Sequence, residues 1–364
     1  MNISYVTNAI PESGVGLRAY EIAKRLKQRE GIELQEELLD GDNPPFKKWL
    51  GVLGSKSINW IRLGKQIKQE QNTLYHLTNQ SLSFLAKKLH PSIVTVHDLI
   101  EILEPQEWKA ALINRHLYSG IAKADHLIAV SEYTKQSIID HFGLGGERIT
   151  VIPNGVGREF HPMERFEDSL AYQELLRELK ITPGTNIVLY VGSDHPRKNL
   201  PVALAAFAAA RKRLPQSVLV KIGAAGLPAG RVATLEAIDQ LKLRDHVRFI
   251  DTISTEKLNQ LYNLADVLFF PSRFEGFGLP PLQAMAAGTP VVASNVTSIP
   301  EVVADAAVMH DPDTIDAFAE SLARVLTDQQ FANDLRTKGL ERAKAFSWDR
   351  AAAQVAEVYT RVVS

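Results

Sequence analysis

Residues 270–294 read FPSRFEGFGLPPLQAMAAGTPVVAS. An apolar strand ends at Pro271, and the glycines that follow let backbone amides face a ligand. Pro281 suits the first turn of a helix, and Gly288-Thr289-Pro290 closes that helix and leads into the next strand, 290–294. Glu275 is left in the loop, while Gln283 falls on the helix eight residues later. A strand, a glycine loop, a helix and another strand in that order predict a parallel sheet covered on both faces.

The same alternation extends outward in both directions. Apolar, β-rich runs at 187–191, 218–222, 247–250 and 267–270 are separated by helical patterns at 201–214 and 233–242. An earlier series has runs at 3–6, 93–96, 127–130 and 149–152, with helical patterns at 18–27 and 133–142. Between the two series lies a charged stretch, 164–180, flanked by Pro162 and Pro183-Gly184, which predicts a domain boundary near 165. The chain of 364 residues also suits about two domains at roughly 150 residues each. After the second series comes an Ala-rich helix ending the chain, with Ser347 placed to cap it.

Composition removes several classes of function. With 41 Lys and Arg against 42 Asp and Glu, the net charge is −1 and no global field draws the protein to nucleic acid. The absence of cysteine excludes disulfides, Cys-ligated zinc, iron–sulfur clusters and thiol catalysis, and fits a cytoplasmic protein. The N-terminal residues carry neither a basic segment nor a continuous apolar one, and no 18-residue apolar run occurs, so neither export nor membrane spanning is expected. The ten histidines lack metal-ligand spacing, and no metal site is expected.

Three further segments carry chemistry. Gly14-Val15-Gly16-Leu17-Arg18-Ala19 matches G-x-G-x-x-A, with Glu36 or Glu37 at the distance of a ribose-binding acid. In a dinucleotide site the glycines follow the strand directly; here Asn8 to Ser13 intervene. The segment reads better as a glycine loop at a helix N-terminus, where amides approach a phosphate or sugar, or as a tight turn alone. Thr95-Val96-His97-Asp98-Leu99 puts a His and an Asp at a strand's end, where cleft residues lie in open α/β sheets. Val191-Gly192-Ser193-Asp194-His195-Pro196-Arg197-Lys198-Asn199-Leu200 places two cations on a loop between strand and helix. They can hold a diphosphate, Arg by its planar fork and Lys as a point charge, or simply be solvated.

With Val130-Ser131-Glu132-Tyr133-Thr134 and Ile152-Pro153-Asn154-Gly155-Val156 added to these segments, nearly the whole chain resembles the retaining glycosyltransferases of family 4. The resemblance implies an α/β protein of the GT-B fold: two Rossmann-like domains facing across a cleft, 1–165 holding the acceptor and 166–347 the nucleotide sugar. Residues 348–364 would cross back to the first domain. It implies transfer of a hexose from a nucleotide diphosphate sugar to a hydroxyl of a glycan or lipid-linked acceptor, with retention of configuration and with no metal or other cofactor. Glu275 corresponds to the first acid of the family's E-x7-E motif, beside the donor sugar. The amides of Gly276, Phe277, Gly278 and Leu279 would bind sugar hydroxyls and phosphate. Lys198 with Arg197 would neutralise the leaving diphosphate, His97 would approach the reacting centre, and Gly14 to Gly16 would close over the diphosphate.

Two positions depart from the family pattern. The second motif acid is Gln283, which accepts through its oxygen but loses a charge-assisted bond to the ribose hydroxyls. Ser193 stands where many relatives carry an Arg, leaving more of the phosphate charge to Arg197. The Arg-Lys-Asn loop resembles that of bacterial polysaccharide mannosyltransferases, which favours GDP-mannose over UDP-glucose or UDP-N-acetylglucosamine. From other classes, an NAD-dependent oxidoreductase and a non-catalytic sugar-nucleotide binding protein stand as alternatives. Lastly, within 46–68 Lys47, Lys48, Lys56, Arg62, Lys65 and Lys68 interleave with Trp49, Leu50, Leu53, Trp60, Ile61 and Leu63, without an acid. This stretch reads either as a peripheral contact with an anionic membrane at its inner face or as a helix packing its tryptophans inward.

Overall fold

In the computed structural model, which describes residues 1–11, 13–39, 51–104, 108–226 and 228–364, the chain divides into two compact units. The first comprises 1–155 and 346–364, and the second 156–345. The expected boundaries at 165 and 347 thus shift. Residues 156–165 belong to the second unit because Phe160 packs edge-on against Tyr262, and the amides of His161 and Met163 donate to Asn259 and Asn263 at 3.2 and 2.7 Å.

In the first unit six parallel strands, β1 (Asn2–Thr7), β2 (Glu33–Leu38), β3 (Thr73–Leu77), β4 (Ser92–Val96), β5 (His126–Ala129) and β6 (Ile149–Val151), lie in the order β2-β1-β3-β4-β5-β6. The sequence reading missed β2 and β3. β2 is ELQEEL, an edge strand with little apolar patterning, and its exposed glutamates are those an edge tolerates. β3, TLYHL, is fully buried, with Tyr75 and His76 interrupting the aliphatic run. Val6, Leu77, Val94, Val96 and Leu127 form the core with Leu82, Leu85 and Ile138 from the covering segments. The helix Trp348–Val363 joins this unit, with Ser347 Oγ accepting from the amides of Asp349 and Arg350.

Trp60, Ile61 and Leu63 of the helix Gly51–Gly64 also pack against this core. These three side chains are therefore turned to protein, in keeping with the packed-helix alternative for that part of 46–68. Lys47, Lys48, Trp49 and Leu50 lie outside the described residues. Among the described residues no helix is long and apolar enough to cross a membrane.

The second unit repeats the design. β7 (Asn186–Val191), β8 (Ser217–Ile222), β9 (Val247–Ile250), β10 (Val267–Phe270), β11 (Val291–Ser294) and β12 (Ala307–His310) are parallel, in the order β12-β11-β10-β7-β8-β9. The helices Leu200–Arg211 and Ile315–Thr327 pack Leu204, Phe207, Phe318 and Leu322 against Val188, Leu219 and Phe269. Strand order reverses between β7 and β10. That places the loops after these two strands side by side at their carboxyl ends, where open α/β sheets bind ligands. The corresponding reversal in the first unit falls between β1 and β3.

Candidate active site

The switch point of the second unit gathers three of the expected residues. Glu275, 7% exposed on the loop after β10, accepts from Lys198 Nζ at 2.6 Å and Arg197 Nη1 at 3.3 Å, both on the loop after β7. Burial alone would raise the Glu275 pKa, but the charges of Lys198 and Arg197 outweigh it and hold the carboxyl below its ordinary value. Glu275 is therefore a carboxylate at neutral pH. Two cations against one carboxylate leave this corner positive, suited to a dianionic diphosphate. Lys198 Nζ also lies 5.3 Å from the centre of the Phe270 ring, which restrains it from the sheet side.

Residues to which the sequence reading gave no role hold the two loops in place. Asn199 is buried in the left-handed conformation (φ 57°) and donates to the carbonyls of Pro271 and Pro312 at 3.0 and 2.7 Å, and the Arg273 amide donates to Arg197 O at 2.8 Å. These bonds tie the cation loop to the carboxylate loop. Asp194, fully buried, is ion-paired with Lys221 and with Arg231, which reaches on to Asp251, anchoring the start of the loop onto β8. Ser298 Oγ donates to Glu275 O and Phe277 O at 2.9 Å, and the Glu275 amide donates to Thr297 Oγ1 at 3.1 Å. Asn199 follows the cations directly in the sequence, but its partners 72 and 113 residues away leave no mark there.

The helix Leu279–Ala287 begins at Gly278, whose φ of 113° is accessible only to glycine and which offers no side-chain cap. Pro280 and Pro281 carry no amide hydrogen, so the first turn presents the Leu279 amide toward the loop. Gln283, 8% exposed, is one turn on, its Oε1 accepting from Tyr262 OH at 3.2 Å. Ser193 is half-buried beside Gly226.

The remaining expected residues belong to the first unit. Ser13 Oγ caps the helix Gly14–Leu26 by accepting from the Gly16 amide at 3.0 Å, so that amide is not available to a phosphate, which corrects the expectation for Gly16. Gly16 is needed instead for packing: a Cβ there would lie 1.8 Å from the Ile10 carbonyl oxygen. Gly14 is exposed at the helix start. Glu36 is paired with Lys27 and Glu37 accepts from Ser4 Oγ at 2.6 Å, so both candidate ribose acids already have partners. His97, 6% exposed, lies 2.9 Å through Nε2 from the Thr78 carbonyl. A carbonyl only accepts, so Nε2 carries the proton and Nδ1 is the acceptor nitrogen. Burial and the charge of Arg18 lower the His97 pKa to about 4, keeping the ring neutral.

Two doubly wound parallel sheets, one with a cation–carboxylate cluster at its switch point, are the architecture of the GT-B fold. The fold is matched over 99% of the chain by the Anabaena protein HepE solved with UDP and glucose (TM-score 0.77, 19% identity, 100% of that chain). The family model Glycosyl transferases group 1 matches residues 172–342 and Glycosyltransferase Family 4 matches 13–160. A D-inositol 3-phosphate glycosyltransferase of Salinispora arenicola is 31% identical, covering 96% of this chain and 88% of its own. The O-antigen chain mannosyltransferase B of Escherichia coli is 28% identical over 99% of both chains. The chain belongs to the family 4, group 1 glycosyltransferases.

Proposed function

We propose that the protein transfers a mannosyl residue from GDP-mannose to a hydroxyl of a glycan or lipid-linked acceptor, with retention of configuration and without a metal ion. The observation that carries this reading is the Arg197–Lys198–Glu275 cluster at the β7/β10 switch point. As the anomeric C–O bond breaks, its electron pair passes to the diphosphate oxygen; Lys198 and Arg197 stabilise that charge, and the departing phosphate takes the acceptor's proton. Glu275 orients the two cations and faces the donor sugar. Similarity over the full length of an O-antigen mannosyltransferase supports the choice of mannose and a polysaccharide acceptor. Calorimetry with GDP, UDP, ADP and NAD, followed by hydrolysis of the matching sugar nucleotide, tests the reading. GDP binding tightest, with slow release of mannose from GDP-mannose, is the expected result; tighter binding of UDP would overturn the donor assignment.

Gln283 makes a further expected result accessible. Restoring the acid with Gln283→Glu supplies a charge-assisted bond to the ribose hydroxyls, and lowers the donor KM about tenfold with little change in kcat. Steady-state kinetics over a donor series measures it. An unchanged or higher KM places Gln283 away from the ribose.

A further inference from the structure

At the switch point of the first unit lies a buried cation that has no carboxylate partner among the described residues. Arg18, on the helix Gly14–Leu26, is 3% exposed; Nη1 donates to Asn154 Oδ1 at 2.7 Å, while Nη2 is buried with no hydrogen-bond partner among the described residues. Three neutral rings among the described residues bear on it. His76 is held through Nδ1 by Tyr359 OH at 2.6 Å and through Nε2 by Thr95 Oγ1 at 2.8 Å, His97 Nε2 faces the Thr78 carbonyl, and Tyr5 OH donates to Ala19 O at 3.0 Å. Burial, reinforced by the charge of Arg18, lowers the pKa of both His76 and His97, and burial lowers that of Arg18 itself to about 10. A buried guanidinium with only an amide for a partner is costly to the folded state, and an oxyanion is the ligand that would offset that cost.

Two more buried polar atoms at the same strand ends lack partners among the described residues. Asn8 Oδ1 lies just beyond β1 and Thr78 Oγ1 just beyond β3, the two strands between which the order reverses. Asn8 is fixed by its Nδ2, which donates to Ser81 Oγ at 2.8 Å, and the Thr78 backbone by its amide, which donates to Val6 O at 3.0 Å. The site is thus built in advance: one charged donor and several acceptors on a rigid sheet edge, each held by a second bond.

We propose that Arg18, Asn8, Thr78 and His97 form a binding site for a phosphate group attached to a sugar. Arg18 Nη2 donates to a phosphate oxygen, and Asn8 Oδ1, Thr78 Oγ1 and His97 Nδ1 accept from neighbouring hydroxyls. The site stands independently of the donor identity. Its phosphate is that of a phosphorylated acceptor.

The test uses the full chain labelled with 15N-histidine. Ring signals of His76 and His97 are followed by NMR during titration with mannose 6-phosphate, inorganic phosphate and GDP at constant ionic strength. Dependence on Arg18 separates binding at this site from phosphate held at Lys198 in the second unit. Shifts with mannose 6-phosphate whose midpoint weakens at least about tenfold in Arg18→Gln support the proposal with an acceptor phosphate as source. The same Arg18 dependence with GDP alone overturns the assignment to an acceptor phosphate. No response to any of the three, or equal responses in both proteins, overturns it and leaves Arg18 as a strut to Asn154. Should Arg18→Gln fail to fold, Thr78→Val replaces it. That variant is expected to weaken mannose 6-phosphate several-fold without weakening inorganic phosphate, and identical affinities for both ligands would overturn the site.

Discussion

Lys198→Ala is expected to lower kcat for sugar transfer by about 10²–10³-fold, the loss that follows removal of one preorganised donor from a developing negative charge. Lys198 contacts Glu275 at 2.6 Å and is mostly buried, so its charge acts with little solvent screening. The substitution also leaves Glu275 with Arg197 at 3.3 Å as its remaining cation. The buried carboxyl then loses the charge that most opposes its desolvation, and its pKa moves back upward. Steady-state kinetics at saturating donor and acceptor, with a thermal melt to separate catalysis from folding, measures both effects. A variant as active as the wild type would falsify the role of Lys198 at the leaving group.

Acidification should destabilise the first unit, with the steepest change between about pH 6.5 and pH 4. In the folded protein burial, reinforced by Arg18, lowers the pKa of His76 to about 3 and that of His97 to about 4, from an ordinary 6.5. Between those values and 6.5 the unfolded chain binds protons that the folded one refuses. Stability is therefore fully present above pH 6.5 and is lost as pH falls through the folded values. Each histidine contributes ~1.4 kcal/mol per pH unit in that window. Denaturant midpoints measured across the window for the wild type and His76→Gln test this. The variant removes one titrating ring, so its pH slope should be shallower by that amount, and an unchanged slope would show that His76 is not the group responsible.

The segments that read clearly in the sequence are those whose local pattern is also their tertiary role. The apolar run before Pro271, the glycines at 276 and 278 and the helix closed at Gly288 announce a strand, loop and helix, and the structure has them at Val267–Phe270 and Leu279–Ala287. β2 and β3 escaped because edge exposure and buried polar side chains erase the apolar pattern on which such reading depends. Gly16 was read as a phosphate contact since a glycine at a helix start fits that role equally well. Its amide belongs instead to Ser13, and its missing Cβ makes room for the Ile10 carbonyl.

The sequence by itself determined the class of protein: alternating strands and helices in two series, and loop residues whose order carries the family's chemistry, because these depend on neighbours within a few positions. The tertiary structure alone decided which of those residues meet. Glu275 meets Lys198 across 77 residues because the sheet order brings β7 beside β10. Arg18 reads as an ordinary helix residue in the sequence, and only the folded sheet buries it at a strand-order reversal with no acid paired to it among the described residues. A charge's energy depends on what surrounds it in space, and spacing along the chain does not record that.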